Sequence, residues 1–184
     1  MDSSYIPDFF ENHNVKISGG QTAYFKKMKD TLTLLLNAGD SMVLVDDPEK
    51  VEQYSFVAYL PKIGYYLIKV QYPEGNSYML VNSNNGFKKY IPGLPFVSLS
   101  GNKLLAVNTD LVAGHTPNVM QLLTLDADTL ITNFTLHVKN WGPDKVKRTS
   151  DTSFILQKQH LVTDTANSRI SFTNSFSNII IGKR

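Results

Sequence analysis

Ser98, Ser100, Asp110 and His115 are the residues of this chain whose types and order could support nucleophilic chemistry. A serine hydroxyl needs an imidazole to take its proton and a carboxylate to orient that imidazole. All three types fall within Gly93–Asp126, a stretch that reads as strand, tight turn at Ser100-Gly101-Asn102, strand, polar loop and strand. A hydrolase site near Ser100 and His115, with Asp110 as the orienting acid, is therefore one expectation. No G-x-S-x-G elbow accompanies it, and serine and aspartate are also the residues that turns use.

Other chemistries find less in the sequence. The chain has no cysteine, which excludes disulfides, thiolate nucleophiles and cysteine-ligated zinc. His13, His115, His137 and His160 stand apart, with none of the spacings that place two imidazoles on one metal. Asp126-Ala127-Asp128 offers two acids and then stops, short of a calcium loop. Glu52, Glu74 and Asp144 each fall at a strand end, and nothing pairs two of them for glycosidic work. Gly19-Gly20 is not followed by the Lys-Ser/Thr of a phosphate loop. The expectation is no metal and no cofactor.

Binding is the stronger reading. Tyr72, Glu74, His115, Asn118 and Trp141 fall at loops or corners, where aromatic and amide side chains serve recognition. A protein partner, another copy of the chain included, is expected first and a carbohydrate second. Trp141 also suits a corner plug buried against the next strand, and His115 a hydrogen-bonded loop stabiliser. Lys139, Lys145, Lys147 and Arg148 gather around Trp141. With a net charge of only +2, this basic run reads as a solvated strand edge, not a nucleic-acid face.

The elements that must position these residues read as strands. Hydrophobic residues make up 42% of the 184 residues and charged residues 18%, enough for a packed core. No run of eighteen apolar residues exists, so no membrane insertion is expected. Short apolar or alternating runs recur from Thr31 onward, separated by turn signals such as Asn37–Asp40, Pro73–Asn76 and Asn84-Asn85-Gly86. No long segment carries a helical period. Leu130, Thr132, Phe134, Leu136 and Val138 alternate as one face of a strand, with His137 on the exposed side. Arg169–Thr173 and Asn178–Ile181 read as two closing strands.

Residues 1–30 read as an N-terminal arm with a short helical turn, on the spacing of Tyr5, Ile6, Phe9 and Phe10 and of Tyr24, Phe25 and Met28. Residues 31–184 read as one all-β domain. A pattern of two longer strands and a shorter hairpin restarts near Gln53, Pro95 and Trp141, a period of about 45 residues that suits propeller blades. A β-sandwich is the alternative.

Pro95-Phe96-Val97-Ser98-Leu99-Ser100-Gly101-Asn102-Lys103-Leu104-Leu105-Ala106-Val107 resembles the turn of WD40-like and TolB-like propeller blades, which read roughly P-x-F-S-P-D-G-K-x-[LI]-[AV]. Tyr78–Val81 with Asn85-Gly86 resembles the hairpin before that turn, and Asn118–Leu122 the strand after it. Ser98-Leu99-Ser100 departs from the family's S-P-D, and no GH…WD pair occurs. The resemblance implies antiparallel propeller-like blades in a small or incomplete ring of bacterial type, and assigns no activity. Richness in Asn, Ser, Thr and Tyr suits an exported protein, periplasmic or extracellular, with a cytoplasmic setting as the alternative.

Overall fold

The computed structural model describes residues 24–150, 152–164 and 169–181. The described residues are all β, without a helix, and form four antiparallel sheets. No helix among them is long and apolar enough to cross a membrane. The first sheet holds β1 (Phe25–Met28), β2 (Thr31–Leu35) and β3 (Ser41–Val45). The second holds β4 (Gln53–Leu60), β5 (Tyr65–Tyr72), β6 (Gly75–Asn82) and β7 (Lys88–Ile91). The third holds β8 (Pro95–Val97), β9 (Lys103–Asn108), β10 (Val119–Asp126) and β11 (Thr129–His137). The fourth holds β12 (Gly142–Arg148), β13 (Ser153–Asp164) and β14 (Arg169–Ile180). Within each sheet, the spatial order of the strands is their order in the chain.

Turn chemistry explains this meander. Two antiparallel strands can be joined by a tight reversal, and Gly or Asn accepts the positive φ such a reversal needs. Gly86 closes the β6–β7 turn at φ +72° and Gly101 the β8–β9 turn at φ +82°. The sheets start at Gln53, Pro95 and Gly142, where the repeating pattern of the sequence restarts.

The chain forms two compact units. One runs to Ile91 and includes Asp126–Leu130; the other comprises Pro92–Leu125 and the residues from Ile131 onward. In the first unit, Leu32, Leu34 and Leu44 of the first sheet pack with Tyr66, Ile68, Val70, Met79 and Val81 of the second. Phe25 stacks on Phe56 with ring centroids 4.1 Å apart. Lys27 donates to both carboxylate oxygens of Asp46 at 2.9 Å and to the Tyr54 carbonyl at 3.1 Å, which ties β1, β3 and β4 at one corner.

In the second unit, Leu105, Val107 and Met120 of the third sheet pack with Val146, Phe154 and Leu156 of the fourth. The guanidinium of Arg148 donates to the Val97 carbonyl at 2.7 Å. Gly93 lies so close to β9 that a Cβ there would stand 1.8 Å from the Val107 carbonyl oxygen.

Three expectations are corrected. Phe25–Met28 is a strand rather than part of a helical turn, because pairing with Thr31–Leu34 satisfies its backbone. Tyr5, Ile6, Phe9 and Phe10 lie outside the described residues. Arg169–Ile180 is one continuous strand, since residues 174–177 keep their register with β13 where a break was expected. On β11, Leu130 is buried but Phe134 and Leu136 are exposed, because β11 is an edge strand whose alternating face is left partly open.

Candidate functional site

The loop between β9 and β10 is built around one side chain. Asp110 accepts the amides of Ala113 and Gly114 on Oδ1, both at 3.0 Å. Its Oδ2 accepts the amide of His115 at 2.8 Å, the amide of Thr116 at 2.9 Å and the Thr116 hydroxyl at 3.3 Å. Four consecutive backbone N–H groups therefore converge on one carboxylate. The Thr116 amide first, then those of Gly114, His115 and Ala113, hold the Asp110 carboxyl below the usual aspartate range.

Amides close the base of the loop. Asn118 Oδ1 accepts the Asp110 amide at 2.7 Å, and its own carbonyl accepts the Val138 amide at 2.9 Å. Asn108 Nδ2 donates to the Thr116 hydroxyl and the Pro117 carbonyl, both at 2.9 Å. The crown is exposed: Val112, Ala113, Gly114, His115 and Pro117.

The corner before β12 abuts this loop. The Thr109 hydroxyl donates to the Pro143 carbonyl, and a Cβ on Gly142 would meet Thr109 Cγ2 at 2.3 Å. Trp141 packs half-buried against the second unit's core, and Lys158 Nζ stands 4.9 Å from its ring centroid. Lys158 reaches that ring because β13 pairs it with Pro143.

His115, Asn118 and Trp141 thus belong to one region of the second unit. His115 is an exposed crown residue, Asn118 a clamp, and Trp141 a corner packed on the core. Tyr72 and Glu74 belong to the first unit, at the β5–β6 hairpin. Tyr72 is half-buried, with its hydroxyl 3.3 Å from that of Ser77, and Glu74 is exposed in the turn. Gln71 Nε2 donates to the Tyr72 and Gly75 carbonyls at 2.9 and 2.7 Å, fixing that turn.

The structure keeps Asp110 and His115 in one loop but places the serines of the hydrolase expectation at the other end of β9. Ser100 sits in the turn before β9 and His115 in the loop after it. Six extended residues, about 20 Å, lie between these ends. The Ser100 hydroxyl donates to Asn102 Oδ1 at 2.7 Å, and the buried Ser98 hydroxyl accepts the Lys103 amide at 3.1 Å. Both serines serve their turn. Asp110, with five donors on two oxygens, has its lone pairs committed to the loop backbone. The same arrangement fills from within the amide cradle that could otherwise receive a phosphate.

Three participants were not singled out in the sequence. Lys158 needs the register of β13 to be seen. Tyr54 and Tyr90 share the face of the second sheet that carries Tyr72, by alternation and cross-strand pairing. Burial first, then the nearby Tyr90 and Glu52, pushes the Tyr54 phenol above the usual tyrosine range. Among the described residues, no group of three or more His, Asp or Glu side chains could hold a metal ion. No protein-family model matches the chain, and neither a curated protein nor a solved structure shows significant similarity to it.

Proposed function

We propose that the protein is a non-enzymatic interaction module that contacts a protein partner through the Asp110-braced loop. One observation carries this reading: the loop spends an ionised carboxylate on ordering its own backbone and leaves Val112 and His115 exposed on the crown. A loop ordered before contact loses less entropy on binding. Trp141 and Lys158 flank its base and widen the surface with an indole edge and a cation.

The carbohydrate reading is weaker. Sugar platforms need flat, open rings, whereas Trp141 and Tyr72 both pack against core residues. In this proposal the four meanders are propeller-like blades, supported by their chain-order topology and regular starting points. The setting is exported and bacterial, supported by the composition alone.

The test uses the full chain as an immobilised bait for extracts of its host. A Val112→Glu/His115→Ala variant is compared with a Tyr72→Ala/Glu74→Ala variant. Protein retained by the unaltered chain should be lost with the first variant and kept with the second. Equal retention by all three baits would overturn the assignment to this loop.

A further inference from the structure

We propose that the outer edge of β14 pairs antiparallel with β14 of a second copy, centred on Phe176. In the fourth sheet, β14 has β13 on one side and no neighbouring strand among the described residues on the other. It is 12 residues long. An edge of that length presents a row of backbone donors and acceptors to any incoming strand. Proteins that avoid such pairing blunt the edge with charge, proline or a bulge. Ile170 to Ile181 contains no charged residue, proline or glycine, and β14 keeps an unbroken register with β13 from Arg169 to Ile180.

The side chains add a second feature. Ile170, Phe172, Phe176 and Ile180 alternate onto one face, opposite the one where Ile179 packs on the core. They are 56%, 43%, 61% and 76% exposed. Leu161, directly across from Phe172, extends this stripe.

The partner is read from the order of these residues. Outward from Phe176 in both directions the chain reads serine and serine (Ser175, Ser177), then asparagine and asparagine (Asn174, Asn178). Next come two β-branched residues (Thr173, Ile179), then two large apolar ones (Phe172, Ile180). An antiparallel pair of identical strands with its twofold axis at Phe176 matches each residue with its mirror position. Phe176 meets Phe176, Phe172 meets Ile180 twice, and Asn174 meets Asn178 twice. Cross-strand aromatic and apolar pairs of this kind stabilise a sheet, and an isologous contact closes at two copies without growing into a fibre. The N-terminal residues of the same chain offer a poorer match, since Pro7, Asp8, Glu11 and Gly19-Gly20 interrupt any comparable run.

The chain has no cysteine, so one introduced thiol reports the register cleanly. The unaltered full chain should sediment at twice the chain mass. On mild oxidation, Phe176→Cys should give a covalent dimer on a non-reducing gel. Phe172→Cys, which would face Ile180 of the other copy, should not. Phe176→Lys should sediment as a monomer with an unchanged circular-dichroism spectrum. A full chain that stays monomeric at about 100 μM, far above the Kd of a specific dimer, would overturn the proposal. So would cross-linking at Phe172 as efficient as at Phe176. Sedimentation of the unaltered chain decides the matter even if a substitution impairs folding.

Discussion

The carboxylate of Asp110 accepts the backbone amide of Thr116 at 2.9 Å, so that a loop of this length closes on its own first residues. Three further amides, from Ala113, Gly114 and His115, reach the same group. Asp110 acts here as a helix N-cap does, satisfying several backbone donors with one side chain. Its replacement should loosen the crown without disturbing the sheets. Asp110→Ala should lower stability by about 1 kcal/mol, by analogy with capping residues. Hydrogen exchange should speed up at residues 113–116 and stay unchanged in β9 and β10. Equal acceleration in the strands would show that the loop is part of the core's cooperative unit.

Acid should reveal the same group. The folded state holds the Asp110 carboxyl below its ordinary value, near 3.9 in an unfolded chain. Above that value both states are ionised and the stabilisation is complete. As pH falls, the unfolded chain takes up the proton first, so the stabilisation declines and is lost below the folded-state pKa. Denaturant titrations should therefore show the unaltered chain losing more stability than Asp110→Asn between about pH 5 and pH 2. Parallel curves would mean that other carboxylates carry the acid response.

The junction of loop and corner depends on a residue without a side chain. A methyl group on Gly142 would lie 2.3 Å from Thr109 Cγ2 and 2.8 Å from its Oγ1. Gly142→Ala should therefore displace the Thr109 side chain and its bond to the Pro143 carbonyl, at a cost of about 1–3 kcal/mol for overpacking. Thr109→Ser removes the nearest atom. Combined with Gly142→Ala, it should recover part of the loss in a thermal melt, a non-additivity expected of contacting residues. Additive losses would place the strain elsewhere.

The strands were legible because their punctuation is chemical. Gly86 and Gly101 take the positive φ that their turns require, and the pattern restarting at Gln53 and Pro95 marks real sheet boundaries. Alternation shows which residues share a face but not whether anything covers it. Phe134 and Leu136 therefore looked like core and are exposed. Residues 174–177 looked like a break because polar residues end strands elsewhere, yet their backbone pairs with residues 156–159 of β13 without a shift in register. The site was legible in part. His115, Asn118 and Asp110 were singled out, but proximity in sequence suggested chemistry between Ser100 and His115, which a six-residue strand holds apart. The bracing role of Asp110 depends on where four amides point, and residue spacing alone does not carry that direction.

Trp141 is the sole tryptophan, so its fluorescence reports one corner only. The ammonium of Lys158 lies 4.9 Å from its ring centroid, within the range where the negative face of an indole attracts a cation. Trp141 also packs on the core around Val146 and Phe154, which holds the ring still while Lys158 caps it. Lys158→Met keeps the apolar stem and removes the charge, so packing against the ring is largely preserved. The substitution should cost about 0.5–1 kcal/mol, the worth of a partly exposed cation–π contact. It should shift the emission maximum while leaving the circular-dichroism spectrum unchanged. In the unaltered chain, raising the salt concentration should move stability little, because the attraction acts at short range against a packed ring. If Lys158→Met leaves both the emission and the stability unchanged, the ammonium does not rest on the indole, and the surface proposed beside the loop would present a bare ring edge without its cation.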